Sequence, residues 1–162
     1  MKPIVAAASA VLLFAVPAAH AQAAPRTVTA ADPATLVSAL EMAGYRAELT
    51  KDNIGDPKIV TRLSDREVQI FFYGCDSETN DGCDQLQFMV GFDSEQPLDA
   101  AKVERFMHDR RFASMSLDEE GDPWLSWDLV TGTEGIPAAV FLQSVRLFTE
   151  AVGAAELMIW PG

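Results

Sequence analysis

The stretch EVQIFFYGCDSETNDGCDQLQFMVGF, running from Glu67 to Phe92, decides how the chain folds. Val68, Ile70 and Phe72 alternate with Gln69, Phe71 and Tyr73. After a polar interval, Leu86, Phe88, Val90 and Phe92 alternate with Gln85, Gln87 and Met89. A period of two places successive side chains on opposite faces of a strand, so two strands are predicted, about Glu67 to Gly74 and Gln85 to Phe92, whose first-named rows point into one core. The interval Asp76-Ser77-Glu78-Thr79-Asn80-Asp81-Gly82 is rich in turn formers, and Cys75 and Cys83 bracket it. These are the only cysteines of the chain. A disulfide closing the ends of a hairpin is the expected pairing.

Outward from this hairpin the pattern continues. Upstream, Tyr45 to Thr50 and Lys58 to Leu63 read as strands joined by turn sequences, and short joints favour antiparallel neighbours. Before them a helix is expected from Asp32, whose carboxylate can cap it, with Pro33 at the first helical position and Gly44 at the end. Downstream, Pro97 opens an amphipathic helix, and Phe112 to Leu117 and Trp124 to Val130 form two more strands around the acidic turn Asp118 to Pro123. Pro137 begins a long helix to about Val152 whose stripe is Phe141, Val145, Phe148 and Val152. An apolar tail, Glu156 to Gly162, is expected to dock on the domain.

The N-terminus reads as a secretory signal: Lys2, an apolar run from Ile4 to Val16, and small residues around Ala19-His20-Ala21. The apolar run is too short to span a bilayer, which takes roughly 20 residues. The expected organisation is a signal peptide over 1–21, a flexible leader over 22–31, and one domain over 32–162. The expected location is the periplasm or outside the cell. The formal charge of the whole chain is −12, and removing Lys2 makes the remainder more acidic still. An acidic balance of this size argues against nucleic acid and against anionic membrane as partners, and no stable membrane insertion is expected.

Little in the sequence points to catalysis. There is no Gly-x-Ser-x-Gly elbow, no phosphate loop and no pair of histidines at helical spacing. His108 is the one histidine outside the signal segment and sits among charged neighbours. The Asp76 to Gly82 loop spaces oxygen ligands like a calcium loop, but its Gly comes one residue late and Gln87 stands where a bidentate Glu is required. No metal, cofactor or catalytic residue is therefore assigned. Asp128, a carboxylate within a strand, reads as structural, pairing with Arg62 or Arg66 or holding amides of the Gly132 turn.

The stronger signal is the second row of the sheet. Gln69, Phe71, Tyr73, Gln87, Met89, Trp124 and Ser126, with Gln85, mix large apolar groups with neutral polar ones. That composition is what an interface core contains. The alternative is that a helix or the tail around Leu157 to Trp160 covers them. An alternative makes the protein a carrier of a small apolar ligand, in a cavity lined by Phe72, Phe88, Phe141 or Phe148, and a further alternative makes it an enzyme of unknown class, with Asp128 beside a second titratable group as its best candidate.

The segment Leu36 to Tyr45, the strand Glu67 to Phe72, the Arg111-Phe112 pair, and Glu120-Gly121-Asp122-Pro123-Trp124-Leu125-Ser126-Trp127-Asp128-Leu129 followed by Gly135-Ile136 resemble the YbjN domain family. The resemblance covers most of residues 32 to 152. It implies an α+β fold, an antiparallel sheet with flanking helices similar to type III secretion chaperones. It also implies a regulatory, protein-binding role, with another protein or a second copy as partner, and it supplies no catalytic residues. The signal segment and the cysteine-closed loop depart from the cytosolic pattern of that family and put a cytoplasmic role in doubt.

Overall fold

A computed structural model describes residues 25–161. The signal peptide expected over 1–21 lies outside them. In chain order the elements are β1 (Thr27–Val28), α1 (Pro33–Met42), β2 (Ala47–Lys51), β3 (Pro57–Leu63), β4 (Arg66–Tyr73), β5 (Gln85–Gly91), α2 (Ala100–Asp109), β6 (Ala113–Leu117), β7 (Pro123–Val130), β8 (Ile136–Pro137) and α3 (Ala138–Ile159). Six strands form an antiparallel sheet in the order β2-β3-β4-β5-β7-β6, and β1 pairs with β8 separately. This is the expected α+β architecture.

The alternating rows set the sheet's sidedness. Ile59 and Leu63, Val68, Ile70 and Phe72, Leu86, Phe88 and Val90, and Leu125 and Trp127 are all buried on one face. Helix α3 seats Phe141, Val145, Phe148 and Val152 against that face, α1 adds Leu36 and Leu40, and α2 adds Val103 and Phe106. Phe88 lies between Phe141 and Phe148, with ring centroids 6.1 and 5.5 Å away. Phe72, Phe88, Phe141 and Phe148, the residues expected to line an apolar-ligand cavity under the alternative reading, are all buried in this core, and the five principal surface concavities among the described residues are lined by other side chains.

Hairpin register follows from local chemistry. Ser64 and Asp65 both adopt left-handed φ, 49° and 61°, between the paired Leu63 and Arg66, the geometry of a two-residue turn that matches strand twist. Cys75 and Cys83 are joined, as expected. Their loop closes on Asp76, whose Oδ1 accepts from the Glu78 and Thr79 amides at 2.9 and 3.0 Å. Those amides, that of Glu78 foremost, together with the Thr79 hydroxyl, hold the Asp76 carboxyl below its usual range.

Several expectations are corrected. The leader is not wholly free: Val28 and Ala30 are buried, and the Ala30 amide donates to the buried Thr131 Oγ1 at 3.0 Å. Thr-Val-Thr-Ala alternates like a strand, but over too few residues for its period to stand out. The folded unit therefore begins before residue 32. Asp32 makes no side-chain cap; Thr35 Oγ1 donates to its carbonyl instead. Pro97 does not open α2, because Asp99 caps it by accepting from the Ala101 amide at 3.0 Å. Pro97 packs on Gly121, where a Cβ would lie 2.6 Å from it. Lastly, the tail continues α3 to Ile159, since Ala154 to Met158 are good helix formers that outweigh Gly153.

Candidate interaction face

The helices all pack on one side of the sheet, so the outward row is left uncovered by any element of the described residues. On β4, Gln69 and Phe71 are half-buried by their sheet neighbours and Tyr73 is exposed; on β5, Gln87 and Met89 are half-buried; on β7, Trp124 is exposed and Ser126 half-buried. The registers bring them together in rows. Phe71 stands opposite Gln87 and Gln87 opposite Asp128, while Gln69, Met89 and Ser126 form the next row. Lys58 on β3 sets its ammonium 5.6 Å from the centre of the Phe71 ring, and the Tyr73 hydroxyl reaches Gln87 Oε1 at 3.3 Å. The tail expected as a possible cover lies on the other side. There Trp160 stacks on Arg66, 4.7 Å from its guanidinium, and contacts Phe92.

Trp124 is held rather than loose. Its indole lies flat over Gly91, where an added Cβ would come within 3.0 Å of the ring, and its Nε1–H donates to Asp118 Oδ2 at 3.0 Å. The other oxygen of Asp118 accepts from the Asp122 and Glu120 amides at 2.8 and 3.1 Å. Asp122 in turn accepts from the Ser94 hydroxyl at 2.7 Å, which ties the β5–α2 loop to the β6–β7 turn. Beside the indole is a shallow concavity of about 340 Å³ with Met89 and Trp124 on its floor and Glu67, Asp93, Asp118 and Asp122 around it. The acidic tip, legible only as a solvated turn, thus positions the largest side chain of the face.

The Trp124 indole, then the Asp122 amide, hold the Asp118 carboxyl below its usual value of 3.8. A depressed carboxylate contributes its stabilisation above the unfolded value and loses it as pH falls through the folded one. The expected result is that the near-ultraviolet dichroism assigned to Trp124, by difference from Trp124→Phe, changes with a midpoint below pH 3.8. Asp118→Asn should remove the acid transition. A midpoint above 3.8 would contradict the arrangement.

Asp128 pairs with neither Arg62 nor Arg66, nor does it hold the Gly132 turn. It is exposed and accepts from Gln87 Nε2 at 2.7 Å. Arg62 lies three strand spacings across, about 14 Å, and is also displaced four residues along β3 from the row of Asp128, and it donates to the Asp65 carbonyl; Arg66 is on the opposite face, bound to Glu156 at 2.6 Å. Among the described residues the side-chain hydrogen-bond partner of Asp128 is the Gln87 amide. His108 is exposed and touches Asp109 at 3.1 Å. Among the described residues no three His, Cys, Asp or Glu side chains converge as metal ligands. No helix there is long and apolar enough to cross a membrane.

Fold and face together define a small α+β domain with a one-sided helical layer and an open sheet surface. The chain belongs to the YbjN family, whose profile matches residues 32–156 and whose description is "Putative bacterial sensory transduction regulator". No curated protein matches it. Among solved structures it is similar to an uncharacterized protein from Methanothermobacter thermautotrophicus, with a TM-score of 0.55 and 16% identity, over 78% of this chain and 94% of that one. That likeness concerns the fold.

Proposed function

We propose that this is an exported, non-catalytic regulatory module that binds another protein through the outer face of β4, β5 and β7. The observation that carries the reading is the uncovered set Phe71, Tyr73, Met89 and Trp124, interspersed with Gln69, Gln87 and Ser126 and anchored at one corner by the Asp118–Trp124 hydrogen bond. Aromatic and methionine side chains among neutral polar groups make an interface core, and Trp and Tyr supply most hot spots. The regulatory description of the family agrees with it. Export is supported by the N-terminal sequence and by the joined cysteines, since disulfides persist in oxidising compartments.

The test is affinity capture from an envelope extract, followed by titration of the purified partner against the parent protein and a Phe71→Ser/Trp124→Ser variant. Both side chains lie outside the core, so the variant should keep its fold by circular dichroism. Loss of at least about tenfold in affinity is expected, because a truncated aromatic hot spot costs about 2 kcal/mol or more. Equal affinity for the two proteins would refute the assignment of the face.

A further inference from the structure

The helical side of the molecule carries a second surface of opposite charge. Helices α2 and α3 enclose a groove made of two adjoining concavities. One, of about 520 Å³, is lined by Arg110, Arg111, Phe112, Trp127, Leu147 and Ala151. The other, of about 410 Å³, is lined by Lys102, Arg105, Phe106, Ala154 and Met158. Its α3 wall, from Leu147 to Met158, is about 16 Å long at 1.5 Å per residue.

The charges in this groove are unbalanced. Lys102, Arg105, Arg110 and Arg111 fall in one short stretch of a chain with only 12 Lys and Arg, and none of them makes an ion pair among the described residues. The two carboxylates that border the groove are engaged within their own helices: Asp109 with His108 at 3.1 Å, and Glu150 with Arg146 at 2.7 Å. Arg110 spreads its guanidinium 5.2 Å from the Phe106 ring, which keeps it at the rim. At the mouth, Phe112 holds a left-handed φ of 69°, unfavourable for a bulky side chain. In that conformation the residue is 73% exposed, and its ring is tilted against that of Trp127 with centroids 5.4 Å apart. Strain that presents an aromatic ring to solvent beside a groove is a feature of binding sites.

We propose that this groove takes an acidic amphipathic helix of a partner protein, its apolar stripe on the Phe106–Leu147–Met158 floor and its carboxylates on the arginines. The length fits about three helical turns. Charge selects this partner over an anionic bilayer or nucleic acid. Surface fields decay over about 8 Å at physiological salt, so a short segment lies within the local cationic field. An extended polyanion would also meet the rest of a chain with net charge −12. The inference is independent of the sheet face.

The experiment uses the purified, disulfide-bonded protein and a fluorescent peptide of about fourteen residues, with Leu at i, i+3 and i+7 spacing and Glu on the flanks. A Lys-flanked version and phosphatidylglycerol vesicles serve as the other arms. Binding of the Glu peptide is expected to weaken as salt rises and to fall at least about tenfold in Arg105→Glu/Arg110→Glu. It should remain unchanged in Phe71→Ser/Trp124→Ser. Lys102→Glu/Arg111→Glu, which spares the Arg110–Phe106 contact, should repeat the loss. Absent binding, equal binding of the Lys peptide, indifference to both charge reversals, or binding of vesicles alone would each overturn it.

Discussion

Phe88→Ala is expected to lower the free energy of unfolding by about 3–5 kcal/mol, the range for truncating a buried aromatic ring. The ring is wholly buried on the central strand β5, between Ile70 and Trp127 in register and beneath Phe141 and Phe148 on α3. Removing it opens a cavity that the sheet cannot close, because β5 is hydrogen-bonded on both sides. A domain of this size has about 5–15 kcal/mol in all, so the variant should unfold at a much lower urea concentration with an unchanged slope. Phe88→Leu should cost much less. A loss below about 1.5 kcal/mol for the alanine variant would mean that the helix layer is not seated on this ring.

Removing the disulfide should have the next largest effect. Closing the loop between Cys75 and Cys83 restricts the unfolded chain by about 2.5 kcal/mol on the loop-entropy argument. Cys83 is fully buried, so Cys75→Ala/Cys83→Ala tests the bridge without placing a hydroxyl in the core. The expected outcome is a lower urea midpoint, with a steeper slope because the unfolded ensemble expands. The hairpin itself should persist. Asp76 and Asp81 still close the loop through backbone and carboxylate hydrogen bonds, and Asn80 Nδ2 ties it to Asp56 Oδ1 at 2.8 Å. An unchanged midpoint would show that the loop is already as constrained without the bridge.

The strand alternations of Val68 to Phe72 and Leu86 to Phe92, the turn residues between them and the Phe141 to Val152 stripe were legible because each is a local periodicity. They correspond to β4, β5 and α3. The partner of each charged residue was not legible. Arg62 and Arg66 looked equivalent as partners for Asp128, yet the register puts one on a distant strand and the other on the opposite face. The role of Asp118 was hidden for the same reason. Its bond to Trp124 depends on the β6–β7 hairpin closing and on Gly91 leaving room for the indole.

The sequence by itself determined that the chain forms an acidic α+β domain with a cysteine-closed hairpin, and which residues alternate on each strand. It left open whether the outward row of Phe71, Met89 and Trp124 is covered. Only the tertiary structure decided that, by packing α1, α2 and α3 on one side and continuing α3 through the apolar tail. It alone also joined Lys102 and Arg105 of α2, with Arg110 and Arg111 that follow, to Leu147, Ala151, Ala154 and Met158 of α3 in one groove. The physical reason is range. Periodicity is set by neighbours a few residues apart, whereas the choice of which face to bury is made by contacts between elements far apart in the chain.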